Sequence, residues 1–343
     1  MLLAGKVKCC LYLIIPLLLL TGSIAGCQPV YPQISLKQPE DIDAVTVPTP
    51  HFRPNVPGSF SSDTPYIRIA IAPAVSLPAT QQNYRKLAAY LPEKLDQHVE
   101  LYFRSTYAEI NQLIIQNLVN AAIVGGWSYV ALLESEDIEL LAVPQVNGKT
   151  YHYSYVIVSA ESNYYKLKDL KNENFIFTDP LSLPGKLYVI YLLAMMGETP
   201  ETFFSKHIHS YSNDSSIIAV AEQWVEGAAV DSLVYDYLVN GNPELENKIR
   251  IIETSPPLGN PPVIISTKTQ PELKQKIKNL FYSMHRDAAG QNVLADMKIE
   301  SFVPGQDEDY DIIRNIMNET LQRLEELAIE QQQDSIKRLE MCY

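Results

Sequence analysis

The stretch from His209 to Ser232, HSYSNDSSIIAVAEQWVEGAAVDS, sets five short polar side chains directly before an apolar run: Ser212, Asn213, Asp214, Ser215 and Ser216. Ile217, Ile218, Ala221, Trp224 and Val225 recur at helical spacing, which predicts a helix with one buried stripe. Hydroxyl, amide and carboxylate oxygens at such a start accept hydrogen bonds from the first free backbone N–H groups, and one residue suffices for the cap. Five exceed that need. The same N–H groups, at the positive end of the helix dipole and with short polar side chains beside them, can instead grasp an anion. The residues themselves leave both readings open.

Other chemistry-bearing patterns are less complete. His207 and His209, two apart, would share one face of a strand and could begin a metal site, but no third His or Cys lies at ligand spacing, so no metal is expected. GWSYV, Gly126 to Val130, lacks the final glycine of a G-x-S-x-G nucleophile elbow. The chain holds neither a GxxxxGK[ST] phosphate loop nor an HExxH helix. With no convergent nucleophile and base, neither catalysis nor a cofactor is expected. Lys186, just inside a helix start in LSLPGK, is either a phosphate-facing cation or, as its type favours, a solvated surface lysine. A formal charge of -13, from 27 basic and 40 acidic residues, argues against nucleic acid, whose binding rests on Lys and Arg neutralising phosphates. Any anion must therefore be held by local geometry.

The elements that would position these groups begin after Pro65. IRIAIAPA, VELYFR, AAIVGG, IELLAV, YSYVIVS, NFIFTD, AAVDS, IRIIET and PVIIS read as strands, and NYRKLAAYL, YAEINQLIIQNLV and LKQKIKNLFYSM as helices. The alternation predicts an α/β fold with parallel sheets covered on both faces, in two lobes. YHYSYVIVSA and ETSPPLGNPPVIIS are the candidate crossings between lobes, the second kept extended by its prolines. From Tyr310 the tail predicts one polar helix with Met317, Leu321, Leu324 and Ala328 on its covered side.

Ahead of the lobes, Lys6 and Lys8 precede CCLYLIIPLLLL, too short for a comfortable membrane span but suited to a secretory leader. The run ends in Ile24-Ala25-Gly26-Cys27, which resembles the lipobox of bacterial lipoproteins and implies acylation of Cys27. The reading is a signal peptide over 1–26, then a proline-rich tether over 27–65, whose eight prolines follow Cys27. As a flexible coil that tether reaches roughly 35 Å. Cys9, Cys10 and Cys27 so assigned, Cys342 alone remains, and no disulfide framework or metal cluster follows. The expected location is the cell envelope, anchored through lipid on the extracytoplasmic side.

Several segments, in order, resemble the phosphate/phosphonate family of ABC-transporter substrate-binding proteins. They are RIAIAPAVSLPATQQNYRKLAAYLPEKL, RSTYAEINQLI, FTDPLSLPGKL, HSYSNDSSIIAVAEQWVEGAAVDSLVYDYL and SPPLGNPPVIIS, and they span about residues 66 to 315. The resemblance implies a bilobed type II periplasmic-binding fold with the ligand between two α/β lobes: 66–153 and 257–312 forming lobe 1, 154–256 lobe 2, and 313–343 a helical tail. It implies a small oxyanion as ligand, such as phosphate, phosphite or a phosphonate, with an ABC permease and ATPase as partners. The alternative is a sensing lipoprotein of the same fold that reports to a membrane partner such as a histidine kinase. Ser76, Tyr107, Ser128, Tyr129, Tyr153, Ser182, Asn213, Asp214, Ser215 and Asp231 are the implied ligand-binding residues, and beside the resemblance the ligand reading of the NDSS cluster gains over the cap. Two departures stand out. Ser182, Leu183 and Pro184 occupy a place where relatives often present Ser-Thr-Ser, and Asn213 stands where many have His. A less charged head group, with an organic part packed on Tyr107, Trp127, Tyr129 or Tyr153, fits those departures.

Overall fold

The computed structural model describes residues 66–340 apart from Ser135 and Gly241. The leader, the tether, Cys27 and the other cysteines lie outside the described residues. Thirteen strands are described: β1 Ile67–Ile71, β2 Val99–Phe103, β3 Ala121–Ile123, β4 Ile138–Gln145, β5 Tyr151–His152, β6 Ser154–Ser159, β7 Asn174–Phe177, β8 Lys206–His209, β9 Gly227–Asp231, β10 Ile249–Thr254, β11 Leu258–Gly259, β12 Val263–Ser266 and β13 Ser301–Val303. The helices are α1 Leu77–Leu95, α2 Tyr107–Ile115, α3 Gly126–Leu133, α4 Tyr188–Met195, α5 Pro200–Phe203, α6 Asn213–Ala221, α7 Ser232–Val239, α8 Pro243–Lys248, α9 Pro271–Ser283, α10 Ala288–Met297 and α11 Asp311–Glu340.

The strands form two main sheets, ordered β13-β4-β12-β3-β1-β2 and β10-β6-β9-β7-β8, one per lobe. Ile67, Ile69, Leu87, Leu91, Ile277 and Phe281 pack on one face of the first sheet, with Ile110, Tyr129, Ile264 and Ile313 on the other. Ile157, Ile217 and Val230 line one face of the second sheet, with Val156, Phe175, Phe177 and Leu193 on the other. Apolar strands buried on both faces and helices outside are what the continuous Val/Ile runs dictate.

The sheets are mixed, which corrects the expectation of parallel ones. β1 runs parallel to β2 and β3, and β7 to β8 and β9, whereas β12 runs antiparallel to β3 and β4, and β6 antiparallel to β9 and β10. The reason is the hinge. β6 and β12 each start where the chain has just crossed between sheets, so they run away from the crossing, while β1, β3, β7 and β9 run toward it. The crossings pair with each other: Leu258 opposes His152 and Gly259 opposes Tyr151. A Cβ on Gly259 would meet the Tyr310 ring at 2.8 Å, so this strand admits only glycine there without a shift. The Tyr310 hydroxyl donates to the Asn260 carbonyl at 2.8 Å, tying the start of α11 to the hinge.

Two details of the helices also differ from expectation. Ile217, Ala221 and Val225 are buried, but Ile218 and Trp224 are exposed, Trp224 by 75%. α6 stops at Ala221 because Gln223 turns into the left-handed region at φ 56°, so Trp224 no longer follows the helical period. In α11 the buried side is Ile313, Ile316, Thr320 and Leu327, one residue ahead of the expected stripe, with Ala328 exposed.

Candidate functional site

A cleft of about 460 Å³ opens between the lobes. Lobe 1 lines it with Val75, Thr80, Asn83, Tyr84 and Tyr107, and lobe 2 with Leu233, Val234, Asp236, Tyr237 and Asn240. Helix starts meet beside it for a topological reason: β1, β7 and β9 carry their carboxyl ends to the crossing, where the following helices begin.

The NDSS cluster works at this junction. Ser212 caps α6, its Oγ accepting from the Ser215 N–H at 3.1 Å. Ser215 is exposed, and its hydroxyl accepts from the Ser212 hydroxyl at 2.7 Å. Asn213 is buried and bridges the lobes: its Nδ2 donates to the Ala74 carbonyl at 2.7 Å and its Oδ1 accepts from the Asp231 N–H at 2.8 Å. Asp214 also crosses, its Oδ1 accepting from the Ser76 N–H at 3.0 Å and from the Ser212 hydroxyl. The cluster is thus a cap at Ser212 and a lobe-to-lobe contact at Asn213 and Asp214.

Ser182 holds the other turn. Its Oγ accepts from the Gly185 N–H at 3.0 Å. A Cβ on Gly185 would lie 1.6 Å from Thr178 Oγ1, so the turn closes only around glycine. The Tyr107 phenol is pushed up, chiefly by burial, then by the Asp179 and Asp231 carboxylates, with a hydrogen bond from Ser182 opposing them. Of these residues Tyr107 lines the cleft, with Ser182 and Asp231 close to its phenol. Asp231 caps α7, accepting from the Leu233 N–H at 2.8 Å, and lies 3.6 Å from His152 Nε2. Burial raises the Asp231 carboxyl above the ordinary carboxylate range, and His152 acts against the rise.

The remaining sequence candidates sit elsewhere. Tyr129 is 1% exposed, packs edge-on against Tyr310 and donates its hydroxyl to Asp307 at 2.7 Å, which makes it a core residue. Ser128 is buried on the same helix, its hydroxyl unpartnered among the described residues. Tyr153 stacks on Tyr155, and its backbone N–H donates to Ser232. Lys186 is buried, not the solvated lysine its type favoured; burial lowers its pKa, with Asp179 and Glu201 opposing the fall. His207 and His209 flank Phe177, and burial lowers His209 to about 4, helped by Lys186 and His207. Among the described residues no group of three His, Cys, Asp or Glu could hold a metal ion.

Sequence reasoning passed over Asp179, Tyr84, Asp236 and Tyr237. Asp179 lies in the quoted turn FTDPLSLPGKL, and its position before a proline at a strand end was the available signal. It is 4% exposed, and its Oδ2 accepts from the Tyr107 N–H at 3.0 Å, from one lobe to the other. Tyr84, Asp236 and Tyr237 lie within amphipathic helices, where nothing distinguishes a cleft face from an ordinary surface.

Two α/β lobes joined by a paired double crossing, with helix starts meeting at a cleft between them, define a bilobed solute-binding protein of the periplasmic type. A family model described as "ABC transporter, phosphonate, periplasmic substrate-binding protein" matches residues 69–310, and the chain belongs to that family. Its members are substrate-binding components of importers and not enzymes, and they work outside the cytoplasm. The chain is 24% identical over 277 residues to the "Phosphate-import protein PhnD" of Mycolicibacterium smegmatis, covering 74% of this chain and 85% of that one. Among solved structures it is similar to a binding protein component of an ABC phosphonate transporter from Pseudomonas aeruginosa, with a TM-score of 0.69, 21% identity, and 82% and 100% of the two chains covered. It is also similar to PhnD1 from Prochlorococcus marinus in complex with methylphosphonate, with a TM-score of 0.66, 17% identity, and 73% and 96% covered. Among the described residues no helix is long and apolar enough to cross a membrane.

Proposed function

We propose that this protein is the lipid-anchored solute receptor of an ABC importer for a small oxyanion such as phosphate, phosphite or a phosphonate, captured between the lobes and passed to a permease and its ATPase. The observation that carries the reading is the meeting of the α1 and α2 starts with the lobe 2 turns at Asp214 and Asp179 beside an inter-lobe cleft, with buried Ser182, Asn213 and Asp231 close by. Backbone N–H groups at helix starts bind an anion without net positive charge, which suits a chain of charge -13. The cleft's 460 Å³ and its lining of Tyr84, Leu233, Val234 and Tyr237 leave room beyond a bare oxyanion. A phosphonate with an organic substituent is therefore favoured over inorganic phosphate.

The test is a thermal-shift series with phosphate, phosphite, methylphosphonate, larger organic phosphonates, sulfate and small carboxylates. A true ligand at a hundred times its Kd stabilises the folded state by roughly 2.7 kcal/mol, or about 5 °C for a body of this size. No shift with any phosphorus compound, beside a clear shift with a carboxylate or sulfate, would replace the ligand class.

A further inference from the structure

We propose that the cleft takes phosphonates whose substituent is an apolar chain of several carbons, laid along the apolar half of the lobe 1 sheet end; this rests on the reading of the cleft as an oxyanion site.

The row of strand ends gives the cleft its length and its polarity. Across lobe 1 the order is β13-β4-β12-β3-β1-β2, with β1, β2, β3 and β4 bringing their carboxyl ends to the cleft and β12 and β13 their amino ends. Six neighbouring strands spread over roughly 24 Å, far more than a bare oxyanion spans. At one end of the row, the segments after β1 and β2 supply Asn83, Tyr84 and Tyr107. At the other, β3, β4, β13 and the residues beside them supply Ile123, Val146, Ile299 and Phe302.

That second end has an apolar floor. Ile123, Val124, Met297 and Phe302 are buried and carry no hydroxyl, amide or charge. Asn147 and Lys298, the polar side chains among the described lining residues on that side of lobe 1, are exposed and lie at the mouth, where the Lys298 ammonium sits 4.7 Å over the Tyr237 ring of lobe 2. A polar substituent would lose its water against the floor without regaining hydrogen bonds, whereas an apolar one gains by leaving water. Asp236, the one carboxylate among the described lining residues, repels an acidic substituent. At roughly 30 Å³ per water-sized unit the 460 Å³ hold about fifteen non-hydrogen atoms, of which methylphosphonate supplies roughly a third.

The test is calorimetric titration with methyl-, ethyl-, butyl- and hexylphosphonate, beside 2-aminoethylphosphonate, hexanoate and hexanesulfonate. Each buried methylene is expected to tighten binding about fourfold, the equivalent of about 0.8 kcal/mol, at one solute per protein. Val146→Trp lays an indole across the floor; Val146 is half-buried and its hydrogen bonds run through the backbone, so its turn is kept. That variant is expected to cancel the gain, so that hexyl- and methylphosphonate bind about equally, and Ile299→Trp makes the same test if Val146→Trp does not fold. Affinity that stays level or falls from methyl to hexyl, or an aminoethyl compound that binds tighter than the butyl one, overturns the proposal and leaves the oxyanion reading standing. A gain with chain length that the folded variants leave intact overturns the placement of the chain. Tight binding of hexanoate or hexanesulfonate, with none of any phosphonate, overturns the phosphorus head group and leaves the apolar floor standing. No binding of any of these solutes overturns both readings.

Discussion

Asn213→Ala separates a lobe bridge from a simple helix cap. The substitution removes the Nδ2 donor to the Ala74 carbonyl and the Oδ1 acceptor of the Asp231 N–H. The Asp231 N–H is then stranded in a residue 4% exposed. The Ala74 carbonyl keeps the longer bond from the Asn213 backbone N–H, at 3.4 Å. A buried group left unpaired costs about 1–3 kcal/mol, so one full loss and one partial loss come to about 3 kcal/mol. For a body of this size that lowers Tm by about 5 °C. Ser212 still caps α6, so the helix itself is not what is lost. Ser215→Ala is the comparison: its side chain is exposed and bonds to Ser212 alone among the described residues, and the change should stay within about 0.5 kcal/mol of wild type. Chemical denaturation checked by scanning calorimetry reads both. Asn213→Ala within 0.5 kcal/mol of wild type, or Ser215→Ala costing as much as Asn213→Ala, refutes the bridge.

Three further outcomes follow from the geometry. Burial raises the Asp231 carboxyl in the fold, so the stability it contributes is fully present below the unfolded pKa of about 4 and is lost as pH rises through its folded value; Asp231→Asn should therefore melt higher than wild type at pH 7 and converge with it toward pH 4. A lower Tm at pH 7 would show that His152, at 3.6 Å, more than compensates the buried charge. Gly185→Ala drives a methyl into Thr178 Oγ1 and should destabilise by about 1–3 kcal/mol or prevent folding, measurable as soluble yield and Tm; a wild-type Tm sinks the packing argument. Cys27→Ala should move a still-secreted protein from the membrane to the soluble fraction, since stable anchoring needs the acyl chains, and membrane retention of the processed variant counts against the lipobox.

Much of the scaffold was legible because burial on both faces leaves short runs rich in Val and Ile, as at Ile67–Ile71 and Ser154–Ser159, whose length and β-branched content mark strands where periodicity alone does not. Strand direction was not, since β12 reads the same in either sense and only its start at a crossing fixes its course. The site was legible as a region more than as residues. Ser212 and Asn213 stood out by type, but that Asn213 reaches Ala74, 139 residues earlier, is a property of two lobes meeting. The core role of Tyr129 was hidden for the same reason, since it is decided by Tyr310 and Asp307 far along the chain; the burial of Lys186 rests on nearby Asp179 and Phe177, brought onto it by the fold of the turn at Ser182, which residue types alone do not give.

The placement of α11 limits how the protein can gape. Ile313 presses against the start of α3 in lobe 1, where a Cβ on Gly126 would come within 2.6 Å of it, and Ile316 joins a core that also holds Leu183 and Tyr188 of lobe 2. Tyr191 on α4 donates its hydroxyl to Glu319 one turn further along. Pulling α4 off this helix would expose side chains worth about 1.5–3 kcal/mol each. Rocking about the contact leaves them covered. Any rocking of the lobes that keeps these contacts should therefore turn on α11 as a door turns on its post, parting most along the rim farthest from it.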